Sequence, residues 1–128
     1  MFSNSSFGFE SLVVWKKVRE LKNEIIILTR GFPAAERFRL ADQLIRSIRS
    51  VNALIAEGHG RYSWRDQLHY CIQARGSIAE TVNHLFDAFD EGYISSEQLT
   101  ELKIKAKEVE VLLNGYIAWL RKKKDEPL

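Results

Sequence analysis

Few residues in this chain combine the type and the spacing that chemistry requires. Glu80 and His84 stand four apart within a helical stretch, and Glu57 and His59 stand two apart at a helix end. A di-metal carboxylate site in a helical bundle needs an inward Glu-x-x-His on each of two helices and a glutamate from each of the other two. The spacing here is four rather than three and no second copy exists, so no metal and no cofactor is expected. His69 and His84 read instead as partly exposed helix residues. Cys71, the single cysteine, has no base near it in sequence and falls at an apolar helical position, where a thiol acts as a small hydrophobe. No Gly-x-Ser-x-Gly elbow occurs. The residue pattern therefore gives no catalytic site and no enzyme is expected. Arg46, Glu57, Arg75 and Glu80 attract attention for another reason: they fall on or beside apolar stripes. Two roles fit them, a buried ion-pair network that fixes helix register or contact with a ligand or nucleic acid.

The elements that position these residues are helical. The 128 residues suit one domain, with 45% apolar and 28% charged residues and only two prolines. A first helix is predicted from Phe9 to Arg30. Its seam is Val14, Val18, Leu21, Ile25 and Leu28, and a second apolar strip, Leu12, Trp15, Ile26 and Ile27, lies outside it. Gly31-Phe32-Pro33 is a connector, and a second helix of about 25 residues follows from Pro33 to Glu57. Its apolar face is Leu44, Ile48, Val51 and Ile55, and Gly58 and Gly60 end it. A third helix spans Trp64 to Glu91, capped by Ser63 with Asp66. Arg75-Gly76-Ser77 interrupts its pattern, and close approach of a neighbouring helix would explain the glycine. Ser95 and Gln98 form a capping box, stapled by Ile94 and Leu99, for a fourth helix from Ser96 to Lys123. Its seam is Leu99, Leu102, Ala106, Val109, Leu113, Tyr116 and Leu120, widened by Leu112 and Trp119. The expected fold is all-α: an antiparallel up-down-up-down four-helix bundle over residues 9–123, with a flexible segment 1–8 and a charged tail 124–128. The excess apolar strips point to a subunit interface.

The charge balance is +2, from 19 Lys and Arg against 17 Asp and Glu, so global charge says little about partners. Its distribution says more. Residues 1–31 carry five basic against three acidic side chains, residues 32–61 again five against three, and residues 62–94 two against five. The first two helices are net positive and the third net negative. The N-terminus lacks a basic start followed by an apolar run, and no stretch of about 18 apolar residues occurs, so neither a signal peptide nor a membrane span is expected. One unpaired cysteine fits a reducing cytoplasm.

Several local patterns occur together and in order. They are Phe9 to Lys17 with Val14-Trp15-Lys16, Phe32-Pro33-x-x-Glu36-Arg37-Phe38, Gln43-x-x-Arg46 with Ser50 and Ile55-Ala56-Glu57-Gly58, Ala74-Arg75-Gly76-Ser77-x-x-Glu80, Gly92-Tyr93-Ile94-Ser95, and Leu112-Leu113-Asn114-Gly115. From Phe9 to Leu120 this order resembles the four-helix bundle proteins encoded in intervening sequences of bacterial 23S ribosomal RNA genes. It is also similar to the accessory variability determinant of diversity-generating retroelements. The resemblance implies a homopentamer, with a basic surface for nucleic acid and a reverse transcriptase as a partner. The chain departs from the pattern at Asn52, where proline is usual, at Leu54, where asparagine is usual, and at Gln73, where an apolar residue is usual.

Together these readings predict a non-enzymatic oligomeric scaffold that binds RNA or DNA through phosphate contacts. The candidate contacts are Lys16, Lys17, Arg19 and Lys22 on the first helix and Arg39, Arg46 and Arg49 on the second. Gln43, Arg46, Ser50, Glu57, Gly58, Arg75, Gly76, Ser77 and Glu80 carry the family pattern. The competing reading is a protein-interaction adaptor that docks a partner such as a reverse transcriptase on its apolar strips and touches no nucleic acid.

Overall fold

The computed structural model describes residues 5–128. Four helices form it: α1 (Val13–Thr29), α2 (Leu40–His59), α3 (Trp64–Asp90) and α4 (Ser96–Lys123), with no strand among the described residues. Each helix packs on the next and α4 returns to α1, which closes an antiparallel four-helix bundle. Among the described residues no helix is long and apolar enough to cross a membrane. Residues 1–4 of the predicted flexible segment lie outside the described residues, and Gly8 already opens a 3-10 turn, Gly8–Ser11.

The core is the set of inward seams. Val14, Val18, Leu21 and Ile25 of α1 meet Leu44, Ile48, Val51 and Ile55 of α2, Cys71, Ile78 and Leu85 of α3, and Leu102, Val109, Leu113 and Leu120 of α4, all buried. Each large aliphatic side chain among them contributes about 1.5–3 kcal/mol by leaving water. The α4 seam shifts at one step: Ile117 is buried where Tyr116 was expected, and Tyr116 is half-buried.

Two predicted helix starts are corrected. The first helix does not begin at Phe9. Ser11 Oγ donates to the Gly8 carbonyl at 2.8 Å, Leu12 is extended, and α1 starts at Val13. The second helix does not begin at Pro33. A 3-10 turn, Ala34–Glu36, comes first, and α2 opens at Leu40 and runs 20 residues. The delay is tertiary in origin. The Tyr93 hydroxyl donates to Glu36 Oε2 at 2.8 Å, and the Phe32 and Tyr93 rings lie 5.4 Å apart, so the connector is held against the α3–α4 turn. That hydrogen bond, with burial and the Glu36 charge behind it, pushes the Tyr93 phenol above its usual range.

The end of α2 is corrected as well: the helix runs through Gly58 to His59, and Gly60 closes it at φ −81°. The caps of α3 and α4 follow the sequence. Ser63 Oγ accepts from the Asp66 N–H, and Ser95 and Gln98 form the reciprocal capping box. Between α3 and α4 Gly92 takes φ +77°. The Tyr93 N–H reaches the Ala88 carbonyl and the Gly92 N–H the Phe89 carbonyl, both at 2.9 Å, a Schellman closure that requires the left-handed residue.

The α2–α3 pair packs through small polar groups. Ser50 and Ser77 hydroxyls lie 3.1 Å apart, and Thr81 Oγ1 donates to Ser47 Oγ at 2.8 Å inside the core. At the end of α2, a Cβ on Gly58 would sit 2.8 Å from Tyr70 Cβ, so glycine there permits close approach. Gly76 behaves differently. A Cβ on it would meet nothing within 4 Å, so no helix of the same chain explains this glycine.

Candidate nucleic-acid interface

The predicted basic residues divide into a cluster and two outliers. Helical spacing puts Trp15, Arg19, Lys22 and Ile26 on the side of α1 that faces α2, and Ile45, Arg49 and Asn52 on the side of α2 that faces α1. The two helices run antiparallel, the start of α1 beside the end of α2. Gly8 lies against the His59 ring, and Thr29 shares a pocket with Ala41 and Ile45. Lys16 lies one turn from Arg19 toward the α1 start, and Arg46 one turn from Arg49 toward the α2 start. Lys17 turns away, into a groove between α1 and α4 shared with Glu20, Glu24, Lys105 and Glu108. Arg39 stands apart at the start of α2.

The cluster is electrostatically available. Lys16, Arg19, Lys22 and Arg49 form no ion pair among the described residues, whereas Lys17 pairs with Glu20 at 3.6 Å and Arg46 with Asp42 at 2.9 Å. The Arg19 guanidinium lies 5.8 Å from the Trp15 ring centroid, a cation–π contact that holds it along the α1–α2 seam. Exposed pairs such as Arg46–Asp42, whose arginine side chain is 80% exposed, are worth at most about 1 kcal/mol and exchange readily for a phosphate.

The buried ion-pair network predicted for Arg46, Glu57, Arg75 and Glu80 does not form. All four are exposed. Glu57 pairs with Arg61 at 3.0 Å, Glu80 approaches His84 Nε2 at 3.1 Å, and Arg75 has no ion-pair partner among the described residues. These residues border apolar stripes but stop outside them, because burying a charge costs far more than a surface pair returns. No group of three or more His, Cys, Asp or Glu among the described residues could hold a metal. Cys71 is buried, and burial pushes its thiol up to about 12. Tyr116, beside it in the same end of the core, is pushed up to about 12 as well, chiefly by burial.

The excess apolar strip is corrected too. Leu12, Trp15 and Leu112 pack partly into the core, and of the α1 strip only Ile27 is fully exposed. Exposed apolar side chains stand on α1 at Val13 and Ile27 and in the connector at Phe38, but a repeating stripe of them lies on α3 and α4. Ile72, Ala79 and Phe86 follow the spacing 72–79–86, and Ile104 and Val111 repeat it on α4. Between them runs a groove of about 550 Å³ with Ile78, Ala79, Val82, Ile104 and Ala106 along it and Lys103, Lys107 and Glu110 also lining it. Gly76 sits along the same α3 stripe. The sequence did contain this signal, a second seven-residue repeat on each helix, but periodicity alone does not say which stripe faces inward.

The profile of the 23S rRNA-intervening sequence proteins matches residues 10–115. The chain belongs to that family. A solved structure from Bacteroides thetaiotaomicron, a protein of unknown function from the S23 ribosomal protein family, superposes with a TM-score of 0.76 at 26% identity. The alignment covers 83% of this chain and 96% of that one. No curated protein matches. Within this 23S rRNA-intervening sequence protein, several residues of the family pattern meet where α2 packs on α3. Gln43, Arg46, Ser50 and Glu57 share one face of α2 and Ser77 and Glu80 one face of α3, joined by the Ser50–Ser77 hydrogen bond, while Gly58 is buried against α3. At Asn52, where the pattern favours proline, α2 continues unbroken and the buried Asn52 Oδ1 has no hydrogen-bond partner.

Proposed function

We propose that this protein is a non-enzymatic, self-assembling scaffold that binds RNA or DNA through phosphate contacts on its α1–α2 flank. The observation that carries the reading is the division of the surface. Cations with no ion pair among the described residues border one seam, Lys16, Arg19, Lys22 and Arg49, while the opposite side, α3–α4, presents an apolar stripe through Ile72, Phe86, Ile104 and Val111. An apolar stripe on one side lets copies pack while the basic seam stays open. Repeating a modest basic seam around a symmetry axis raises the potential that a phosphate backbone meets. The family resemblance favours five subunits. Its contacts are to phosphate, so sequence preference is weak.

The test is the mass in solution and the oligonucleotide affinity of the intact chain and of Ile104→Glu/Val111→Glu. The proposal expects a multiple of the 14.8 kDa subunit, reduced to the single subunit by the double substitution, with affinity falling in parallel. A monodisperse single subunit without affinity for polyanions contradicts it. The same apolar stripe also suits a protein-interaction adaptor, for instance a partner of a reverse transcriptase. That reading predicts co-purification with another protein and no gel shift with any nucleic acid.

A further inference from the structure

One end of the bundle is set apart by its aromatic content. α1 starts there, α2 and α3 join there and α4 finishes there. All three tryptophans of the chain gather at it. Trp15 meets Phe9 at 5.0 Å between centroids. Trp64 meets Trp119 edge-on at 5.2 Å, and Tyr116 stacks on Trp119 at 5.9 Å with 11° between the planes. Trp15, Trp64 and Tyr116 pack partly against the core, but two rings of this end stay open. Trp119 is 43% exposed, and Tyr62, in the α2–α3 loop two residues before Trp64, is 95% exposed. A tyrosine ring standing almost wholly in water forfeits its hydrophobic contribution to this fold.

The charges around the rings are arranged to match. Lys123 Nζ lies 5.9 Å from the Trp119 centroid, and the Arg61 guanidinium 4.8 Å from Tyr70. The acids of this end are largely occupied: Glu57 by Arg61, Asp125 by Arg65, Glu126 by Lys123, and Glu10 by the Phe7 N–H, leaving Asp66 in the first turn of α3. Arg121, Lys122 and Lys124 form no ion pair among the described residues. The opposite end carries Asp87, Asp90, Glu91 and Glu97 near the α3–α4 turn, and Phe32 and Tyr93 engage each other there. Phe38 is 83% exposed at that end with the Arg37 guanidinium 5.5 Å from its centroid, so the Trp64–Trp119–Tyr116 cluster and the acids of the α3–α4 turn are what distinguish the two ends.

We infer that this end takes single-stranded nucleic acid. Unpaired bases stack on Tyr62 and Trp119, and phosphates lie on Arg121, Lys122 and Lys124. A duplex hides its base faces and can use the cations only. A single strand uses rings and cations together, at roughly 1–3 kcal/mol per stacked base. The inference rests on the reading that the chain binds nucleic acid, and adds the strand form and the place of base contact.

The test uses the full chain, a fluorescein-labelled 15-nucleotide oligo(U), a duplex RNA of equal length, and the intrinsic tryptophan emission. Oligo(U) is expected to quench that emission and to bind more tightly than the duplex. Tyr62→Ala is expected to weaken oligo(U) binding roughly 5- to 150-fold, to leave duplex binding and the thermal midpoint unchanged, and to be rescued by Tyr62→Phe. Arg121→Ala/Lys122→Ala/Lys124→Ala is expected to lower the salt slope for oligo(U) by about 2. Equal affinity for duplex and strand, or unaltered oligo(U) binding by Tyr62→Ala, overturns this inference and leaves the α1–α2 flank as the binding surface. Absence of binding to either RNA overturns the inference together with the reading beneath it.

Discussion

Two glycines in the helices should respond in opposite directions to the same substitution. Gly58→Ala and Gly76→Ala each add one methyl group and each gain helix propensity, up to about 1 kcal/mol in a helix interior. At Gly76 the new Cβ meets nothing within 4 Å, so the gain is kept. At Gly58 it lies 2.8 Å from Tyr70 Cβ and 3.4 Å from the Gln67 carbonyl oxygen. Neither neighbour is the far end of a flexible side chain, so α2 and α3 must separate. Overpacking of this kind costs about 1–3 kcal/mol, and Gly58 lies in the last turn of α2, where the propensity gain is smaller. Gly76→Ala should therefore stabilise the folded subunit by about 1 kcal/mol and Gly58→Ala should destabilise it by about 1–2 kcal/mol. For a domain of this size each kcal/mol moves the midpoint by about 4 °C. Urea titration and calorimetry at one fixed protein concentration read both effects. Equal shifts of the same sign would refute the close α2–α3 approach at Gly58. Gly76→Ala also bears on assembly, because Gly76 lies on the exposed α3 stripe. A stabilised subunit with weakened self-association would place that backbone at a subunit contact.

Further predictions follow from single groups. Burial raises the Cys71 thiol from 9.0 to about 12, so the folded state favours the protonated form. Its contribution is fully present below pH 9 and is lost as pH rises through about 12, and a chromogenic disulfide at pH 8 should react with Cys71 only as fast as the protein opens. Lys105 is raised above its usual value by its hydrogen bonds to Glu24 and then Glu101. That bridge between α1 and α4 holds below the ordinary lysine range and fails above it, and Lys105→Met should flatten the alkaline limb of the stability profile. Asn52→Leu removes a buried carbonyl oxygen that has no partner and should raise stability by about 1 kcal/mol in chemical denaturation. Ser95→Ala breaks the capping box of α4 and should cost about 1 kcal/mol by the same measurement.

Local signals carried much of the fold. The Ser96–Lys123 limits of α4 were legible because Ser95, Gln98, Ile94 and Leu99 specify the start by contacts within one turn. The α2 start was not legible, because Tyr93 reaches Glu36 across 57 residues and holds the connector in a 3-10 turn. Arg46, Glu57, Arg75 and Glu80 were misplaced for a related reason. A stripe has edges, and periodicity does not separate a residue at the edge from one within it. The basic seam was half legible. Charge counts singled out the first two helices, but only the bundle shows that Lys17 turns into the α1–α4 groove and that Arg39 stands apart at the start of α2. The aromatic end was not legible at all, since Trp15, Trp64 and Trp119 come together only through the bundle.

The salt dependence of oligonucleotide binding tests the central claim most directly. Fluorescence anisotropy of a labelled RNA titrated with the intact chain, between 50 and 200 mM salt, gives log K against log salt. The account predicts a steep negative slope, shallower by about 2–3 in Arg19→Ala/Lys22→Ala/Arg49→Ala. A slope near zero, or one that the triple substitution leaves unchanged, contradicts it.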